Sequence, residues 1–426
     1  MSLYEDIKNI KNEELKKKLP GAIKAAIEVL VHNFKLNEPD ELPMGSGWGY
    51  HEPYTRDLLI SLLGILILSK EDYEDEPDNY DKMIKKILKV LETLAENQTE
   101  RGHIPSLVNS KEEFGASDTT PLFVLAVGLF QAIPGKNVVG GNKDQEKKLN
   151  EAVQKAKTWM EYQSPDDSGL VAQLEANDWR DEMWGFQGFC LFINTLVYSY
   201  LRLSKHKVDH ERAEKIKEQM NQHVPYGLLT THENFFAMCV SKRCIKNPND
   251  ISDFNKWFDL MGNSLAILSG IASPKKAGNI ISWVDENYVE AMKPKGIIAR
   301  IKWLWAKLKK RKKLGLPPNF LPFVQEIDME WCERYKEHCL PGNYLNGGIW
   351  PFVCGFYIAA LVANGKMALA EKKTGESAKW YEMAEQKLDA LTDLVKLKRE
   401  TSLTEERERL NAIPFGFNEW FKAQNK

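Results

Sequence analysis

Residues 54–68 read Tyr54-Thr55-Arg56-Asp57-Leu58-Leu59-Ile60-Ser61-Leu62-Leu63-Gly64-Ile65-Leu66-Ile67-Leu68. A polar-aromatic signature, Tyr54 to Asp57, runs straight into an almost wholly apolar stretch. Such a run predicts a helix buried on most of its faces. The next periodic stretch, Tyr80–Glu96, is built differently. Met83, Ile84, Ile87, Leu88, Val90, Leu91 and Leu94 fall on one stripe, with lysines and glutamates opposite. That spacing predicts an amphipathic helix covering its apolar predecessor.

The same grammar recurs along the chain. Signatures at Ser117-Asp118-Thr119-Thr120-Pro121, Asp178-Trp179-Arg180-Asp181-Glu182, Asp259-Leu260-Met261-Gly262-Asn263 and Asn346-Gly347-Gly348-Ile349-Trp350-Pro351 each precede or open an apolar helix. Counted from Asp57, Asp118, Asp181, Asn263 and Asn346, the intervals are 61, 63, 82 and 83 residues. Apolar stretches at 121–130, 185–203, 265–272 and 349–363 alternate with amphipathic or charged ones at 151–162, 211–223, 277–291 and 378–397. With a further helix near 23–34, eleven helices are expected. Strand signals are scarce. The expected fold is all-α, an (α/α)6 toroid of helical hairpins in a single domain over 1–426. Apolar helices would form its inner ring. Helices that start after equivalent loops point the same way, so their starting loops should gather on one rim. The chain ends seven residues after Glu419, too soon for a twelfth, closing helix.

Composition bounds the function. The 426 residues are 43% hydrophobic and 28% charged, with mean hydropathy −0.43, as for a soluble protein with ample core. A formal net charge of −2 gives no bias toward nucleic acid. None of Cys190, Cys239, Cys244, Cys332, Cys339 and Cys354 forms a CxxC pair, so reduced structural thiols in a cytoplasmic protein are expected. The polar N-terminus lacks a signal-peptide apolar region, and no run reaches the roughly 18 consecutive apolar residues of a membrane span. Walker, Rossmann and HExxH motifs are absent, and no metal or cofactor is expected. Residues 293–313 carry ten Lys or Arg on an amphipathic helical pattern, an expected basic insertion. Such a helix can touch an anionic membrane, but a solvated surface helix over the rim is the expected reading.

A rim rich in carboxylates and aromatics suits sugar chemistry. Glycoside hydrolysis uses two carboxyl groups, one donating a proton to the leaving oxygen and one ionised; in inverting enzymes they stand roughly 6.5–9.5 Å apart. Asp181, beside Trp179, Arg180 and Trp184, and Glu419, in Phe417-Asn418-Glu419-Trp420, are the candidates. Tyr54, Arg56, Asp57, His103, Asp118, Arg180, Gln187 and Asn346 are candidate sugar contacts, and Trp48, Trp179 and Trp350 are candidate stacking faces. His51 has the same donor chemistry. Each acid also fits a helix N-cap or an internal ion pair.

These residues resemble the six-hairpin glycosidases with an (α/α)6-barrel, most of all bacterial amylo-α-1,6-glucosidases and glycogen-debranching-type proteins. They are also similar to the alkaline and neutral invertases. The resemblance spans about Gly47 to the C-terminus. It rests on residues 54–57, 102–107, 115–123, 178–188, 344–354 and 415–423. It implies that Asp181, before Gly185 and Gly188, acts as general acid and Glu419 as general base, with Arg56, Asp57 and Asp118 binding sugar. Asp181-Glu182-Met183-Trp184-Gly185 departs from the invertases' Asp-Arg-Arg-Met-Gly, so sucrose specificity does not carry over. The expected activity is hydrolysis of a terminal α-glucosidic bond. A glycoside phosphorylase, with Lys242 or Arg243 near phosphate, and a non-catalytic glycan-binding protein are the alternatives.

Overall fold

The stripe on residues 80–96 is buried as its spacing requires: Met83, Ile84, Ile87, Leu88, Val90, Leu91 and Leu94 all lie in the core. The computed structural model of the chain describes residues 13–36, 38, 40–45, 52–66, 68, 78–112, 115–132, 143–181, 186–231, 235–240, 257–291, 315–321, 342 and 344–408. The described residues are mostly helical.

Among the described residues there are eleven helices: α1 (Glu13–Asn33), α2 (Thr55–Ile65), α3 (Asp78–Asn97), α4 (Thr119–Ala132), α5 (Lys143–Tyr162), α6 (Leu191–Leu203), α7 (Lys207–Met220), α8 (Leu260–Leu268), α9 (Pro274–Ala291), α10 (Pro351–Ala370) and α11 (Thr374–Glu408). They fall into two compact units. The first comprises the described residues up to 179, with 196–217 and the end of α11 from 398. The second comprises 180–195 and 218–397.

In the first unit, α2 packs on α4, and both α3 and α4 pack on α5. Apolar α4 is buried from Thr119 through Val127 and again at Phe130, as an apolar run without a polar face requires. Lys86 departs from the solvated pattern of its neighbours. It is buried on α3, and its ammonium donates to the carbonyls of Glu38 and Glu41. A lysine tolerates burial where backbone acceptors take its protons. Lys157 on α5 likewise pairs with Asp209 on α7, and both are buried.

In the second unit, α10 packs on α8 and α9. Residues 351–368 of α10 are long and apolar enough by composition to cross a membrane, although Asn364 and Lys366 break the apolar run. Half of that window is buried within the protein, the placement of a core helix. Short antiparallel strands accompany the helices. Gly188–Cys190 pairs with Cys239–Val240, and Phe258–Asp259 pairs with Phe320–Leu321. Aromatic residues fill the space between: Phe186 packs edge-on to Trp257 and Phe320, and Phe235, Phe258 and Trp283 form a second group with centroids 4.6–5.2 Å apart. Much of the aromatic supply is thus core.

Three sequence expectations change. Helix α8 begins at Leu260 rather than Leu265, because Gly262, Asn263 and Ser264 are buried first-turn residues whose polar groups bond backbone. Helix α6 begins at Leu191, since residues 188–190 are extended and paired with another strand. Cys190 and Cys239 are not reduced thiols. They stand directly opposite in that strand pair and form a disulfide, a juxtaposition hidden by their separation of 49 residues. Cys354 is a buried free thiol.

Lys387 on α11 is 1% exposed and donates to Gly315 O at 2.6 Å, while the Cys354 thiol lies 3.8 Å from Pro317 O. Both side chains hold the 315–317 segment. Burial pushes the Lys387 ammonium down from 10.5 to about 8, against the pull of Asp285 and Cys354. Between those two pKa values the unfolded chain binds more protons than the native one, so stability rises with pH across that window. The contribution is on the order of 3 kcal/mol. Thermal denaturation from pH 8 to pH 10.5 should show this rise, and Lys387→Met should flatten it.

Candidate functional site

Helix starts are where the sequence signatures fall, and the structure ties them together within each unit. In the first unit the loop 103–108 is the common partner. Thr55 N–H donates to Ser106 O at 2.8 Å, and Val108 N–H donates to Pro53 O at 3.1 Å. The Thr119 hydroxyl donates to Ile104 O and Ala116 O, and Ile104 N–H returns a bond to the Thr120 hydroxyl. Ser117 then reaches the next signature: its N–H donates to Asn177 O at 2.7 Å and its hydroxyl to Asn177 Oδ1 at 2.5 Å. The start of α2, the start of α4 and residues 177–178 are thereby neighbours.

This seam carries charge. Arg56 Nε donates to Asp118 Oδ2 at 2.5 Å, with Asp118 wholly buried and Arg56 19% exposed. The two residues, 62 apart in sequence, were separate expectations and are one ion pair. Asp118 also opens α4, where Leu122 N–H donates to its carbonyl. Tyr54 is exposed and Asp57 half-buried. Asp178 is buried and accepts from Gln173 Nε2 at 3.1 Å, and Trp179 is buried to 5% exposure. The Trp179 ring therefore offers no open face for stacking.

His103 stacks on Trp159, with ring centroids 4.9 Å apart and planes 11° from parallel, and its Nε2–H donates to Ala116 O at 3.3 Å. Gly115 makes this approach feasible: a Cβ there would stand 2.0 Å from Ile104 O and 2.5 Å from His103 Nε2. Burial holds the imidazole below its ordinary pKa, partly countered by the bond to Ala116.

In the second unit the stitching continues through different residues. Leu191 N–H, at the start of α6, donates to Met238 O at 2.8 Å. The Asn263 side chain closes a ring of bonds with Phe236, accepting from its N–H at 3.0 Å and donating to its carbonyl at 2.9 Å, and also donates to Asp259 O. Leu260 N–H donates to Asn319 O, Asn319 N–H donates to Gly348 O, and Asn319 Nδ2 donates to Leu345 O. The starts of α6, α8 and α10 are joined in this way.

Arg180 and Asp259 are both buried and pair at 3.1 Å. Gly262 leaves room for that carboxylate, since a Cβ there would stand 2.6 Å from Asp259 Oδ2. Asn346 is fully buried, and its carbonyl accepts from Gly342 N–H. Trp350 is half-buried, and its indole N–H donates to Tyr344 O at 3.1 Å. Gln187 is half-buried, and Asp181 lies on an exposed turn. Trp48, His51, Glu419, Lys242, Arg243 and the basic stretch 293–313 lie outside the described residues.

Within each unit, then, helix starts are hydrogen-bonded to one another, and Arg56 and Asp118 are two predicted residues that meet directly. Asp118, Trp179, Arg180 and Asn346 are interior, where they orient neighbours. Tyr54, Arg56, Asp57, His103, Asp181, Gln187 and Trp350 retain exposed surface. Sequence reading missed Thr119, Thr120, Asn177, Asp259's ion pair and Asn319, all of which hold the seams. Their signal was present as polar residues beside apolar runs, but their partners lie far along the chain. No family model and no curated protein matches this sequence.

Two outcomes follow. Removing one partner of a buried pair strands the other charge, so Arg56→Met should lower unfolding free energy in urea by about 3 kcal/mol. The double change Arg56→Met with Asp118→Leu should recover most of that loss. Because the folded state resists protonating His103, stability should fall as pH drops through 6.5. His103→Phe keeps the stack on Trp159 and should remove that component of a pH-dependent melting profile.

Proposed function

We propose that the protein is a glycoside hydrolase acting on a terminal α-glucosidic bond, on an (α/α)6-type ring of helical hairpins. The observation that carries this reading is the turn at residues 178–181. Asp178, Trp179 and Arg180 are each buried, and Arg180 is paired with Asp259, yet the next residue, Asp181, is exposed. An acid whose chain neighbours are buried has its backbone held in place while its side chain stays open to solvent, a placement that lets it reach the leaving oxygen of a bound sugar.

In this reading Asp181 protonates the glycosidic oxygen as the C1–O bond breaks. Glu419 takes a proton from the attacking water, whose oxygen bonds to C1 from the opposite face. The sugar configuration inverts. Arg56 and Asp57 hold sugar hydroxyls, one as donor and the other as acceptor. Two further features support the proposal: the alternation of apolar and amphipathic helices, and helix starts that are hydrogen-bonded to one another in each unit. The resemblance of the six sequence stretches to six-hairpin glycosidases gives the substrate class.

Asp181→Asn tests the reading, since an exposed acid-to-amide change preserves shape. Turnover on a panel of sucrose, isomaltose, trehalose and glucosylglycerate should fall at least about 100-fold, the usual scale of general-acid catalysis, with the melting temperature unchanged. Proton NMR of the fresh product should show the β-anomer first. Normal turnover by Asp181→Asn removes that residue from the mechanism. Sugar release that requires inorganic phosphate reassigns the protein as a phosphorylase, and no turnover of any panel sugar by the wild type overturns the proposal.

A further inference from the structure

Several ties of the second unit meet in the segment 235–240. Phe236 exchanges two hydrogen bonds with the Asn263 side chain at the start of α8. Met238 O accepts from Leu191 N–H, which opens α6, at 2.8 Å, and Met238 N–H donates to Trp257 O at 3.3 Å. Cys239 and Val240 pair with Cys190 and Phe189 as strands. The covalent tie at this junction is the Cys190–Cys239 disulfide.

The two cysteines stand directly opposite one another in the strand pair and are 0% and 1% exposed. Phe189, Leu191, Phe236, Met238 and Val240, close to them in the chain, are buried as well. A disulfide holds its sulfurs about 2 Å apart, whereas unbonded heavy atoms rest roughly 3.5–4 Å apart. Reduction therefore puts two separate thiols where one linked pair fitted. A close-packed interior does not yield that space without shifting its surroundings. Because the cysteines are opposed strand residues, the shift falls on the spacing of the two strands. Those strands are three and two residues long, so few backbone bonds resist it. The same shortness gives a reductant its access, since a local opening of the pair bares the sulfurs without unfolding the whole unit.

We propose that Cys190–Cys239 is a redox-operated lock on this junction, closed as the disulfide and loosened when a dithiol reduces it. One thiolate of the dithiol attacks a cysteine sulfur and forms a mixed disulfide, and the other cysteine leaves as a thiolate and takes up a proton. The second sulfur of the dithiol then displaces the first cysteine, which is protonated in turn. Two electrons and two protons pass to the protein, and the reductant departs as its own disulfide. Once the strands part, Met238 no longer holds Leu191, and the start of α6 slackens against the start of α8. The lock acts on the fold of the second unit and does not rest on the hydrolytic reading.

Dithiothreitol is the probe, applied without denaturant to the full chain purified in the absence of reductant. Peptide mapping by mass spectrometry should find Cys190 and Cys239 linked before treatment and both open to alkylation after it. On reduction, hydrogen exchange over residues 235–240 should quicken at least about tenfold. The melting temperature should fall by at least about 4 °C. Removing the dithiol and adding oxidised glutathione should restore both. Cys190→Ala with Cys239→Ala keeps the other four cysteines, so its exchange and melting should not respond to dithiothreitol. If that variant does not fold, the wild-type comparison between the two redox states decides. Unlinked cysteines before treatment, a linkage that yields only in urea, either readout unchanged by reduction, or an equal response in the double variant overturns the proposal.

Discussion

Among the described residues, the apolar helices begin in loops that are wholly or partly buried. The first N–H groups of a helix have no intrahelical acceptor, and buried loop carbonyls beside them have no water. Several polar residues in and near the signatures serve this one constraint. Thr119 and Thr120 satisfy Ile104, Asn263 satisfies Phe236, and Asn319 satisfies Leu345. Because each donor reaches the loop of another element, satisfying one helix start positions the next. The seam within each unit is thus a by-product of hydrogen-bond accounting in a dry environment, and candidate functional residues are carried along with it.

Charge follows the same logic at higher stakes. Arg56–Asp118, Arg180–Asp259 and Lys157–Asp209 all put at least one charge in the interior. Desolvation removes most of what such pairs gain, so they add little net stability compared with apolar packing. What they enforce is specificity of arrangement, since any misplacement strands a charge. A turn held by such a pair is a rigid base for an exposed acid, and Asp181 follows Arg180 directly. Lys86 and Lys387 use backbone carbonyls instead of carboxylates, which fixes the 38–41 and 315–317 segments to α3 and α11.

How much of this was legible differs by feature. The apolar stripe of α3 and the near-total burial of α4 could be read residue by residue, because a 3.6-residue period is a local property. Helix α8 began earlier than expected, because Asn263 and Ser264 look like loop residues until their backbone partners are known. Trp179 and Asn346 are expected sugar contacts by residue type, and the structure places both in the interior, which residue type does not encode. Cys190 and Cys239, expected as reduced thiols, form a disulfide instead. Spacing in sequence says nothing about two residues placed opposite one another by strands that begin 49 residues apart.

The amino-acid order by itself determined the helical class and the alternation of apolar and amphipathic elements. Those are consequences of side-chain periodicity and of local backbone preference. Tertiary structure alone decided which of the polar residues at the helix starts became interior staples and which, like Asp181, kept a face to solvent. The physical reason is that burial and hydrogen-bond partnership are properties of pairs brought together across tens of residues, and no single segment contains both members of the pair.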